Sequence, residues 1–167
     1  MTLQQFNTLD KAAAAELLKC CGSSKWVSAM MENFPFPSED HLIKKAVAIW
    51  YEQCEKEDWL EAFTHHPKIG DNKSLEEKFA PTKDWAASEQ SGVQTANNTV
   101  IEQLVKGNEG YENKFGFIFI VCATGKTAQE MLHLLQDRLQ NNYENELKIA
   151  MKEQDKITQL RLKKLLA

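Results

Sequence analysis

Only one stretch of this chain reads as a β-strand, and a lone strand has no neighbour to take its backbone N–H and C=O groups. That stretch is 115–122, FGFIFIVC, aromatic and β-branched like a buried strand. Period-two alternation is almost absent elsewhere, whereas apolar residues recur at helical spacing. The expected fold is therefore all-α: a single-domain multi-helix bundle over residues 1–167. Within it, 115–122 is expected to be an extended or irregular, strand-like core segment. A chain of 167 residues can bury such a core without staples.

Cap and stop signals divide the bundle. Thr8 can cap a helix running through 12–15 to Leu18, with Gly22 as its stop. Ser24 opens a short helix carrying Trp26, Val27 and Met30, and the Pro35-Phe36-Pro37 turn breaks the chain after it. Ser38 caps a longer helix with Asp40 in its first turn, where a carboxylate meets the positive end of the helix dipole. Asp58 to Glu61 has the spacing of a capping box, for a helix that must end near His66 because Pro67 disfavours α geometry in the residue before it. Ser74 to Glu77 repeats that spacing, and Pro81 and Asp84 mark a loop. A helix is expected from about Trp85, divided at Gly92 from a run over 93–105 that Gly107 and Gly110 close. Thr127 caps a further helix through Leu139. The last helix covers 143–166, with Leu147, Ala150, Ile157, Leu160 and Leu165 at helical spacing.

Charge and cysteine usage narrow the function classes. The formal net charge is −4, so no basic field exists to hold nucleic acid, and Arg161, Lys163 and Lys164 form only a local basic end. No run is long enough for a membrane span, and no basic-then-apolar leader opens the sequence. Leu165-Leu166-Ala167 is not a peroxisomal address. Cys20, Cys21, Cys54 and Cys122 form no C-x-x-C pair and read as small buried hydrophobes or free thiols of a reducing compartment. The expectation is a soluble, cytoplasmic protein with no nucleic-acid or membrane partner.

Four polar motifs interrupt the helical pattern. His65-His66-Pro67-Lys68-Ile69-Gly70 places an imidazole at a helix C-terminus, whose partial negative charge favours the protonated ring. Such a histidine is either a surface cap or a proton carrier. His65 and His66 are poor metal ligands, because adjacent side chains diverge and no H-x-x-x-H or cysteine partner is near. Ser88-Glu89-Gln90-Ser91-Gly92 is either an exposed helix face or a carboxylate and an amide aimed into a pocket. Thr124-Gly125-Lys126-Thr127 imitates a phosphate-binding loop, yet the required first glycine would fall at Ile120, so Thr127 is better read as a helix cap. Arg161, among apolar neighbours, either keeps its head in water or reaches a site to pair with a carboxylate.

In order, these motifs resemble the OHCU decarboxylase family. The segments that match are 66–70 (HPKIG), 88–92 (SEQSG), 111–123 (YENKFGFIFIVCA) and 153–162 (EQDKITQLRL), with a weaker echo in Leu9, Phe34 and Trp50. The resemblance implies an all-α homodimer without metal or organic cofactor. The implied reaction is decarboxylation of 2-oxo-4-hydroxy-4-carboxy-5-ureidoimidazoline to (S)-allantoin in urate catabolism. His66 would be the catalytic histidine and Glu89 its acidic partner. Pro67, Ser88, Gln90 and Arg161 would bind substrate, together with the backbone of Phe117, Ile118, Phe119, Ile120 and Val121. Lys68 stands where the family often has arginine, and Ala86-Ala87 stand where it often has polar residues. No fused transthyretin-like hydrolase domain is expected from these residues, although some relatives carry one. Two other readings stay open: a helical binding or scaffold module with His66, Glu89 and Arg161 far apart, and a phosphate-binding enzyme using 124–127.

Overall fold

The computed structural model describes residues 1–67 and 90–167, with side chains from 99 onward in the second stretch. The expected Ser74 capping box and Pro81 loop, and the start of the helix near Trp85, lie outside them. Among the described residues there is no strand, and all regular structure is helical. The helices are α1 (Leu3–Asn7), α2 (Ala13–Cys20), α3 (Ser24–Met31), α4 (Glu39–Glu52), α5 (Lys56–Thr64), α6 (Gln90–Phe115), α7 (Ala128–Arg138) and α8 (Tyr143–Leu165). A 3-10 turn, Asp10–Ala12, leads into α2. No helix among the described residues is long and apolar enough to cross a membrane.

Several ends differ from the sequence expectation, for local reasons. Thr8 closes α1 rather than opening α2. The α1 start is a capping box in which Thr2 accepts from Gln5 N–H and the Gln5 side chain accepts from Thr2 N–H. Ser23, one residue before the expected Ser24, caps α3 by accepting from Trp26 N–H. Asp58 is not the cap of α5 but its third residue, reaching back to Glu55 N–H. α6 runs unbroken through Gly92, Gly107 and Gly110. A helical glycine costs only about 1 kcal/mol against alanine, so packing can override it. At Gly107 the packing is visible, since a Cβ there would lie 2.6 Å from Leu135 Cδ2. The stop is Gly116, whose φ of +77° allows its N–H to return to the Glu112 carbonyl at 2.8 Å. Ser38 and Thr127 cap α4 and α7 as the sequence predicts.

The chain divides into two compact units. The first comprises Met1–His66, Ile120–Cys122 and Lys148–Ala167. Its core gathers Phe6, Leu17, Trp26, Met30, Leu42, Ile49, Trp50, Met151 and Leu162. Each buried indole N–H finds a carbonyl: Trp26 donates to Ala46 and Trp50 to Met151, both at 3.0 Å. The second unit comprises Pro67–Phe119 and Ala123–Leu147, where α7 packs on α6. There Tyr111 lies against the rings of Phe115, Phe117 and Phe119. Arg138 places its guanidinium over Phe119 at 4.5 Å and bonds Glu146 at 2.6 Å. The strand-like run has no regular structure after Gly116, as expected of a segment without a sheet. Phe117, Phe119, Ile120, Val121 and Cys122 are nevertheless buried.

Candidate functional site

The site residue described most fully is His66. α5 ends at Thr64, and His65 is its cap. His65 and His66 diverge, as two adjacent side chains at a helix end must. The His65 ring lies over Gly22, where a Cβ would come within 2.4 Å of His65 Cγ. Gly22 therefore serves a close approach rather than the stop expected of it, and α2 has already ended at Cys20. The half-buried His66 turns its Nε2 to the Gln154 side-chain oxygen at 2.5 Å. Gln154 is fully buried on α8, and its amide nitrogen donates to Thr158 Oγ at 3.2 Å. The Thr158 hydroxyl in turn donates to the main-chain carbonyl of Gln154 at 3.0 Å.

Within the first unit, α8 carries the polar residues nearest His66. Gln154, Thr158 and Arg161 are four and three residues apart and so share one face. Seven residues of helix separate the first from the last, a rise of about 10 Å. Arg161 is half-buried and donates from Nη1 to the carbonyls of Lys19 (3.2 Å) and Cys20 (3.5 Å), the last residues of α2. It thus satisfies orphan carbonyls at a helix C-terminus, where a cation is also favoured by the dipole. Glu153 accepts from Cys122 N–H at 2.8 Å and so fixes the end of the irregular run. Asp155, also nearly buried, has its carboxyl raised by burial, against the bonds it accepts from Gln159 and Tyr51.

Of the remaining expected site residues, Pro67 is exposed, Ile118 is half-buried, and Phe117, Phe119, Ile120 and Val121 are buried. Gln90 begins α6, and its side chain lies outside the described residues, as Ser88 and Glu89 do entirely. A surface recess of about 510 Å³ lined by Lys126, Gln129, Glu130, His133 and Leu134 contains none of these residues. Thr127 caps α7 with Glu130, which leaves the phosphate-loop imitation as a plain helix start. Among the described residues, no three His, Cys, Asp or Glu side chains gather as metal ligands would.

Gln154 and Thr158 were not among the residues singled out from the sequence. Leu147, Met151 and Leu162 of α8 are buried, as is Leu166 just beyond its end, and Gln154 and Thr158 fall on the same stripe. Ile157, Leu160 and Leu165, expected at the core, are only half-buried. Polar residues at core phase were the signal available, since a buried amide is retained only when its partners are satisfied.

The fold and this geometry define an all-helical protein whose candidate site histidine is anchored by a buried amide. The family model for OHCU decarboxylase matches residues 7–163, and the chain belongs to that family. It is 44% identical over 149 residues to the "Uric acid degradation bifunctional protein TTL" of Arabidopsis thaliana, covering 87% of this chain and 45% of that protein. It is 26% identical to the 2-oxo-4-hydroxy-4-carboxy-5-ureidoimidazoline decarboxylase of Haloferax volcanii, over 97% of this chain and 94% of that one. Among solved structures it is similar to a crystal structure of OHCU decarboxylase in the presence of (S)-allantoin. The TM-score is 0.73 at 40% identity, covering 90% of this chain and 96% of that chain. The chain spans less than half the length of the bifunctional relatives it matches.

Proposed function

We propose that this protein decarboxylates 2-oxo-4-hydroxy-4-carboxy-5-ureidoimidazoline to (S)-allantoin, as a homodimer in the cytoplasm, within urate catabolism. The observation that carries the reading is the 40% identity to a structure of OHCU decarboxylase with (S)-allantoin, over 96% of that chain. The match of the family model over 7–163 supports treating the two units as one functional domain. The four free, buried cysteines fit a reducing compartment.

The substrate carries a hydroxyl and a carboxylate on one ring carbon, beside the carbon that holds the ureido group. When the bond to the carboxylate breaks, carbon dioxide leaves and the electron pair passes into the adjacent imine of the ring. The imine nitrogen and the neighbouring carbon then each take a proton, the hydroxyl gives one up, and a carbonyl remains, with a net uptake of one proton. The substrate is its own electron sink, so the protein's task is placement and proton transfer. In this reading His66 exchanges a proton with the substrate hydroxyl, and Glu89 orients the substrate or the imidazole. Arg161 and Gln90 hold polar edges, Pro67 and Ser88 line the site, and backbone N–H groups of 117–121 meet ring oxygens.

His66→Asn should keep the fold and most substrate affinity while removing general acid–base catalysis, a loss of about 10²–10⁴-fold in rate. His65→Asn should change little. The measurement is formation of optically active allantoin from freshly generated substrate, because spontaneous decay yields the racemate. Production of one enantiomer by His66→Asn at the wild-type rate would overturn the assignment, and no optically active product from the wild-type protein would overturn the function.

A further inference from the structure

We propose that Gln154 is a positioning residue for His66: its amide carbonyl, oriented by Thr158, holds the ring in the Nε2–H tautomer, so that Nδ1 is the nitrogen that exchanges the proton. The inference rests on the reading that His66 carries the proton, and it adds which nitrogen does so and what sets the choice.

The hydrogen bonds determine the direction in sequence. The Thr158 hydroxyl donates to the Gln154 main-chain carbonyl, so its oxygen is left to accept. It accepts from Gln154 Nε2, which identifies the NH₂ end of the amide and turns the carbonyl end to His66. A carbonyl oxygen has no proton to give, so His66 Nε2 is the donor. In the neutral ring the lone pair then belongs to Nδ1. When Nδ1 gains a proton, Nε2 keeps its own, and the bond to Gln154 survives both halves of a catalytic cycle. The reversed amide would press an NH₂ against the ring, and the bond would be lost at each protonation. Gln154 is fully buried on the stripe of α8 otherwise formed by Leu147, Met151 and Leu162. An amide there is costly unless every bond is made, and no buried side-chain polar atom among the described residues lacks a partner. A neutral acceptor also orients the imidazole without adding a charge beside it.

The test is the tautomer of His66, read by proton–nitrogen correlation spectroscopy on the full chain, with the assignment fixed by His66→Asn. The wild type should show Nε2 protonated and Nδ1 pyridine-like at high pH. Gln154→Met removes the acceptor, and Thr158→Val frees the amide to rotate. Each should give a tautomer mixture while helical circular dichroism is retained. Each should also lower kcat by about tenfold or more, within the range general acid–base catalysis spans, with a much smaller change in KM. Gln154→Glu restores an acceptor and adds charge. It should keep the Nε2–H tautomer and hold His66 protonated to higher pH than in the wild type, moving the acidic limb of the rate profile with it. A merely structural glutamine would move none of these ring signals. An Nδ1–H tautomer in the wild type would overturn the proposal, as would a wild-type ring spectrum in folded Gln154→Met. Should Gln154→Met fail to fold, the wild-type spectrum and Thr158→Val decide. The spectra need no substrate, so a chain with the expected tautomer but no optically active product would sink the proposed activity and leave the positioning intact.

Discussion

Arg161 has two uses that one substitution separates. Its Nη1 caps the end of α2 through the carbonyls of Lys19 and Cys20. The planar guanidinium carries further donors in a fixed fork, and it shares a face of α8 with the residues that hold His66. Lysine keeps the charge and can still meet one carbonyl, but it loses the fork. Arg161→Lys should therefore raise KM severalfold while the melting temperature changes little, because a charge–carbonyl contact at a helix end is worth only about 0.3–1 kcal/mol. Equal Michaelis constants for the two proteins would assign Arg161 to capping alone. The pattern of apolar neighbours in the sequence left Arg161 between water and a site, and no local signal could have named the carbonyls of α2 as its partners. They lie some 140 residues away in the chain, and only folding brings them together.

Between elements of the second unit, one buried ion pair ties α6, α7 and the start of α8. Glu146 is fully buried and accepts from Arg138 Nε and the Tyr111 hydroxyl at 2.6 Å and from Asn141 at 3.0 Å. Burial pushes the Tyr111 hydroxyl well above its usual range, and the Glu146 carboxylate adds to the shift. Removing one partner of such a pair strands the other charge, at a cost of about 3–5 kcal/mol. Glu146→Leu should lower the melting temperature strongly, and pairing it with Arg138→Met should recover most of the loss. An unchanged melting temperature for Glu146→Leu would show the pair to be dispensable. At this scale the sequence was informative where side chains act on nearby backbone: Ser38, Thr127 and the stop before Pro67 are local devices and were legible. α1 was missed because five residues are too few to show periodicity. α6 was divided at its glycines because the packing of Leu135 on Gly107 is tertiary. The stripe of α8 was misread because a hydrophobic pattern cannot place Gln154 and Thr158 inside. Ser88 and Glu89 rest on resemblance alone.

For the whole molecule, the buried thiols set an alkaline limit to stability. Burial pushes Cys20 and Cys54 up to about 11 and Cys21 up to about 12, each from an ordinary thiol value of 9.0. Tyr51 rises to about 12 through burial and the nearby Asp155 carboxylate, but its side chain is more exposed and screened, so it weighs less. Raised values mean that the folded chain keeps these protons longer than the unfolded chain. Below about pH 9 both states are protonated and the groups leave stability unchanged. Above it the unfolded chain releases protons first, so fewer are bound in the unfolded state and stability falls with rising pH. The loss should run from about pH 9 to about 12. Denaturant midpoints measured across that window should decline, and Cys21→Ala should decline less steeply than the wild type, after allowance for its smaller side chain. The same burial keeps the thiols protonated at neutral pH, where alkylating reagents should label the native chain slowly and the denatured chain quickly. A flat alkaline profile together with rapid native labelling would show that Cys20, Cys21 and Cys54 are open to solvent, which the packing of the first unit around Trp26 and Trp50 does not allow.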